Sequence, residues 1–238
     1  MSIDSSDPVF TGGGRTRRLE VRRMAQARAL RLAIDPRDGA VRLTLPKRAA
    51  LRHALDWVES KRDWIEAALA RLPAAVPIVA GGEAPFEGRL RLIDWREGAP
   101  RAVRLEEDRF VLGGPADTIA ARLLRWMRAE ALIRLDRETR AMADSAGVSI
   151  ARVAVGDPRT RWGSCSATGD IRYSWRLVLA PVEVREATVA HEVAHRLHMD
   201  HSPAFHAAVR RLLGRDPAPE RAWLRANGAA LYWLGRVG

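Results

Sequence analysis

The chain has 238 residues, a formal net charge of +11, and a composition 47% hydrophobic and 29% charged. That length can bury one large core or two small ones, and the balance is that of a folded globular protein, which excludes intrinsic disorder. No run approaches the ~18 apolar residues of a membrane-spanning helix, and a single cysteine, Cys165, excludes an internal disulfide framework.

Residues 1–14 lack a basic segment followed by an apolar one, so they read as a disordered tail rather than a secretory signal. With one cysteine, this points to a bacterial protein of the cytoplasm. Lys47 and Lys61 are the only lysines. An arginine- and alanine-rich, lysine-poor chain is what a GC-rich genome writes, so the charge is a weak pointer to nucleic acid. Arg15, Arg17, Arg18, Arg22, Arg23, Arg28 and Arg31 form its densest stretch.

Alternating apolar residues at Leu30, Leu32 and Ile34 and at Val41, Leu43 and Leu45 flank Asp35-Pro-Arg-Asp-Gly39, which predicts a β-hairpin over 30–46. Leu51, Leu55, Val58, Ile65, Leu69 and Leu72 draw one helical stripe that Pro73 ends. Short strands are expected at 89–93, 102–105 and 109–112. A long helix is expected from about Asp117 to Ala146, with Ile119, Leu123, Trp126 and Ile133 on one face and Gly147 as its stop. Strands follow at 152–155 and 171–179, then a helix over about 181–198 and another from Ser202-Pro203 to Gly214. The mixture predicts an α+β fold with a small, mostly antiparallel sheet, a β-rich part over 15–115 and a helical part over 116–238.

Five of the six histidines lie between positions 191 and 206. His191 and His195 stand four apart, so on a helix they share a face, and two imidazoles can meet at one cation. Glu192 points about 100° round the helix, where it serves water held on that ion as a general base. A catalytic zinc takes three protein ligands and keeps an open position. His201 is the third candidate, and it faces the ion only if the helix breaks after His198. Ser202 before Pro203 supports the break. No glycine stands at the bend, so a strained or left-handed residue among His198, Met199 and Asp200 is expected.

Arg161-Trp-Gly-Ser-Cys165, Ser174-Trp-Arg-Leu177, Leu179-Ala-Pro181, His191-Glu-Val-Ala-His195 and His201-Ser202 occur in that order. With Leu30–Ile34, Pro46-Lys-Arg48 and Ser60-Lys-Arg-Asp-Trp64, this set resembles the YgjP-like metallopeptidases, relatives of the SprT-like and WLM zincins, over about residues 15–215. The resemblance implies a zincin-like core, one zinc per chain on His191, His195 and His201, and Glu192 as base and then acid. Asp200 stands where the family often has Asn, and His206 where it often has a second aromatic.

Further candidates are Arg161 and Trp162 to frame the substrate and His206 to support the ligands or the reacting group; Tyr173 is a candidate oxyanion donor for which packing is the better reading. For Cys165 an ordinary small, buried side chain is the better reading. The reading that follows is a zinc-dependent peptidase acting on peptide or protein. Two alternatives stand beside it: a metal-dependent nucleoside triphosphate phosphohydrolase, which the arginines would suit, and a basic DNA-associated protein with structural histidines.

Overall fold

The computed structural model describes residues 8–12 and 14–236. They form two compact units, Met1–Ala74 and Ala75–Gly238. The division falls after Ala74, not near residue 115. The reason is that the strands between these positions bury Phe86, Ile93, Phe110 and Leu112 in the same core as the long helix that follows.

In the first unit β1 (Val9–Gly12), β2 (Arg15–Met24), β3 (Arg31–Ile34) and β4 (Val41–Pro46) make a sheet in the order β1-β2-β4-β3. The predicted hairpin is present, with Ile34 opposite Val41. Strand β1 corrects the expected tail over Val9–Gly12, where it pairs with Arg15–Arg18. Residues 1–7 of that tail lie outside the described residues. The single helix expected over 51–72 is two, α1 (Leu51–Glu59) and α2 (Arg62–Ala70). Between them the Ser60 hydroxyl donates to the Trp57 carbonyl at 2.7 Å, a local bond that competes with the helical ladder. Ala54, Val58 and Ile65 close the core over Val41, Leu43 and Leu45.

The second unit opens with β5 (Glu83–Phe86), β6 (Arg89–Trp95), β7 (Arg104–Leu105) and β8 (Arg109–Leu112), ordered β5-β6-β8-β7. Helix α3 (Ile119–Ala146) ends on Gly147 in the left-handed conformation, as expected. Its buried line is Ile119, Leu123, Met127, Ala131, Leu135, Thr139 and Ala143, one residue in four, whereas Ile133 is exposed. A strict four-residue step drifts round the helix. The stripe therefore meets Phe86 and Phe110 through neighbouring Trp126 at one end and the next sheet at the other.

That sheet holds β9 (Arg152–Gly156), β10 (Gly163–Cys165) and β11 (Asp170–Ser174), ordered β10-β11-β9. The strand expected to reach 179 stops at Ser174, whose side chain caps a 3-10 turn over Trp175–Val178. Helices α4 (Val182–Ala194), α5 (Pro203–Leu213) and α6 (Ala218–Asn227) complete the chain with a 3-10 turn at Ala230–Trp233. The fold is α+β, with three small sheets rather than one. Their hairpin pairings are antiparallel, and each sheet carries one parallel pairing: β2 with β4, β6 with β8, β11 with β9.

No helix of the described residues is long and apolar enough to cross a membrane.

Candidate metal centre

Helix α4 is buried almost all round, by Val184, Ala187, Val189, Ala190, Val193 and Ala194 among others. Its small residues Ala190 and Ala194 let α5 approach closely with Phe205, Ala208 and Val209. The helix ends at Ala194, four residues before the expected break. Arg196, Leu197 and His198 then turn the chain through amide bonds to Val193 and Ala194 at 2.9 to 3.0 Å. Asp200 Oδ1 accepts from the Ser202 amide at 3.4 Å, and Ser202 caps α5 by accepting from the Phe205 amide. The expected left-handed residue is not needed, since Glu87 is the only described non-glycine residue with positive φ. A short 3-10 exit followed by extended chain returns His201 to the helix.

The return brings the three imidazoles together. One ligand nitrogen from each of His191, His195 and His201 lies within 4.8 Å of the others. The Nε2 atoms of His191 and His201 are 3.3 Å apart. Three nitrogens about 2.1 Å from one tetrahedral cation stand about 3.4 Å from one another, so this spacing fits a metal. His195 Nδ1 lies 3.3 Å from the His198 carbonyl, the arrangement in which Nδ1–H donates and leaves Nε2 free to ligate. The buried ring of Phe205 packs on all three, its centroid 4.9, 4.6 and 4.8 Å from those of His191, His195 and His201. Burial, then the charges of His195, His201, His206 and Arg221, holds the His191 pKa down to about 4, and burial also lowers that of His195. Imidazoles kept neutral in this way offer lone pairs to a cation.

Glu192 is 4% exposed. Burial pushes its pKa up to about 7, and the Arg161 charge pulls the other way. A cavity of about 260 Å³ contains the Glu192 and His191 side chains in its wall. Its other walls are Val184, Ala187 and Thr188 of α4, His206 and Val209 of α5, Leu224 of α6, and Arg161, Trp162 and Gly163 of the segment leading into β10.

Arg161, Trp162 and His206 therefore line the same cavity as Glu192 and His191. Trp162 rests on Tyr232 with ring centroids 5.9 Å apart. The His206 ring is 6.4 Å from that of His201 and outside the ligand cluster. Tyr173 lies where the packing reading puts it. It is 0% exposed, its hydroxyl lies 3.0 Å from the Thr139 hydroxyl, and burial pushes its pKa above the tyrosine range. Alternation along β11 turns Ile171 and Tyr173 inward to α3, so the hydroxyl is packed in the core. Cys165 is half-buried, and burial followed by the Glu192 charge raises its pKa, which keeps it a thiol. Phe205, Glu220 and Arg221 join the site without any signal of residue type or spacing in the sequence, whereas Gly163 lies within the Arg161–Cys165 motif.

Comparisons with curated proteins and with solved structures give no match. The family described as YgjP-like, metallopeptidase domain, matches residues 28–227, a span that holds every histidine of the cluster. Such a family implies a bound metal ion and a peptide or protein substrate, and by this match the chain belongs to the YgjP-like metallopeptidase family.

Proposed function

We propose that the protein is a zinc-dependent peptidase in which His191, His195 and His201 hold the metal and Glu192 is the general base. The observation that carries this reading is the convergence of the three imidazole nitrogens beside a buried carboxyl group with a pKa of about 7. Zinc held by these three imidazoles would acidify water and polarise a carbonyl. Glu192, poised near neutral pH, accepts a proton from the attacking water and returns it to the leaving amine. Phe205 holds the three rings in register. Trp162, Val184, Ala187, Val209 and Leu224 offer the peptide an apolar wall.

An all-imidazole donor set favours zinc over magnesium, which prefers carboxylates and water. That supports a peptidase over a nucleoside triphosphate phosphohydrolase. Histidines that served structure alone would have no reason to aim three lone pairs at one point, which argues against the DNA-associated reading.

The test is metal content together with cleavage. Wild-type protein should carry one zinc per chain and cleave an unfolded protein. His201→Ala should bind zinc at least about tenfold more weakly. Glu192→Gln should keep its zinc and lose at least about 100-fold in cleavage rate. Phosphate release from nucleotides without peptide cleavage, or purified protein that takes up no zinc, would overturn the proposal.

A further inference from the structure

A second, polar pocket of about 240 Å³ adjoins the first and shares Arg161 with it. Gly156, Asp157, Pro158, Arg161, Ser164 and Arg172 line it. Ser164 and Arg172 are cross-strand partners on β10 and β11, so their side chains leave the sheet on one face. Asp157 is matched from within, since Arg176 grips both of its oxygens at 2.9 and 3.0 Å. Arg161 and Arg172 have no hydrogen-bond or ion-pair partner among the described residues, and neither has the Ser164 hydroxyl.

The buried arginines Arg176 and Arg185, by contrast, are tied to carboxylates. Two guanidiniums lining one small pocket repel each other unless an anion lies between them. Each presents a planar fork matched to a carboxylate. The neighbouring residue on β10, Gly163, is the one against which the Glu192 carboxyl packs. Ser164 and Arg172 thus leave the sheet on the face opposite the Gly163 position, and the two cavities meet at Arg161, which lines both.

We propose that this pocket is a subsite for a carboxylate of the peptide substrate, held by Arg161 and Arg172 with the Ser164 hydroxyl donating. The carboxylate belongs either to an Asp or Glu side chain near the cleaved bond or to the C-terminus of the peptide. The proposal deepens the peptidase reading and rests on it.

The test uses short peptides with Glu or Gln at each position flanking the cleaved bond, each with a free or an amidated C-terminus. At one position the acidic peptide should show kcat/KM about tenfold above its neutral twin, and added salt should shrink that ratio. Arg172→Ala should bring the ratio near one, and Arg172→Lys should keep part of it. Loss of the preference on Glu-to-Gln exchange assigns the carboxylate to a side chain, and loss on amidation assigns it to the terminus. A ratio near one for every pair, or a preference that survives in Arg172→Ala, would overturn the subsite. So would Arg172-dependent binding of inorganic phosphate with no discrimination among the peptides.

Binding of the same peptides, fluorescently labelled, to Glu192→Gln protein separates the two readings. Arg172-dependent preference for the acidic peptide in a protein whose wild type cleaves none of them overturns the peptidase reading alone. Cleavage without any carboxylate preference overturns the subsite alone.

Discussion

The Glu192 carboxyl group lies against the backbone of Gly163, so close that a Cβ built on Gly163 would stand 2.7 Å from both Cγ and Cδ of Glu192. Glycine is needed here for space rather than for backbone freedom. Strand β10 carries it at the pairing opposite Tyr173. Gly163→Ala should displace the carboxyl and leave the histidines untouched. The expected result is zinc content as in wild type with cleavage reduced at least about 100-fold, since a misplaced base forfeits most of its contribution. Cleavage within a few-fold of wild type would show that the carboxyl does not work from this position.

Arg185 anchors the first half of α4. It is 2% exposed and donates to both oxygens of Glu138, at 2.8 and 2.9 Å, and to Glu87 at 3.0 Å. Glu87, with φ of 51°, is the residue held in a left-handed conformation, and Arg134 reaches it as well at 3.1 Å. Removing the cation leaves the partly buried Glu138 carboxylate unmatched and Glu87 held by Arg134 alone. Arg185→Met should cost about 3 kcal/mol, a fall in Tm of roughly 6–12 °C. Adding Glu138→Leu should restore part of the loss. A Tm unchanged by Arg185→Met would remove the anchor from the account of α4.

Tyr173→Phe tests whether this tyrosine serves packing alone. The substitution deletes one buried hydrogen bond, to Thr139. Thermal melting should report a loss of about 1 kcal/mol, and kcat/KM should stay within about threefold of wild type. A tenfold fall in kcat/KM at unchanged stability would return Tyr173 to the reacting group.

Acid should loosen the first unit through Asp35, whose side chain is 1% exposed and paired with Arg37 and Arg42. Burial pushes its pKa up. The Arg37 amide bond and the Arg42 guanidinium more than offset this, so the folded value lies below the ordinary one. A depressed carboxyl stabilises the fold only while ionised. Its contribution is complete above the unfolded pKa of about 3.9 and is lost as pH falls through the lower folded value. Hydrogen exchange at the amides of Val41–Leu45 should therefore accelerate, beyond its intrinsic pH dependence, as pH drops from 5 toward 3. Asp35→Asn should remove that dependence and cost about 2 kcal/mol at neutral pH. An Asp35→Asn protein with the same acid response would place the sensitivity elsewhere.

Where a local signal marks an element, sequence and structure agree. Asp35–Gly39 turns the hairpin, Gly147 stops α3, and Ser202-Pro203 opens α5. Turn and cap chemistry acts within a few residues, so it is written in neighbouring side chains. The end of α4 was not legible in this way, because no residue near Ala194 forbids another helical turn. The chain leaves the helix there as Phe205 docks on Ala190 and Ala194. For Tyr173, strand alternation says which residues share a face but not which face α3 will cover, so its Thr139 partner came only with the fold.

The sequence by itself determined the candidate donor set. A His-Glu-x-x-His turn with His201 six residues on commits three imidazoles and one carboxylate to a single short segment, and the ordered motifs carry the family. Tertiary structure alone decided that the third ring turns back to within 3.3 Å of the first, that Gly163 from a distant strand seats the carboxyl, and that Arg161 is shared by two pockets. Those are contacts between segments far apart in the chain. They follow from how α4, α5 and β10 pack, a global minimum that no single stretch of residues encodes.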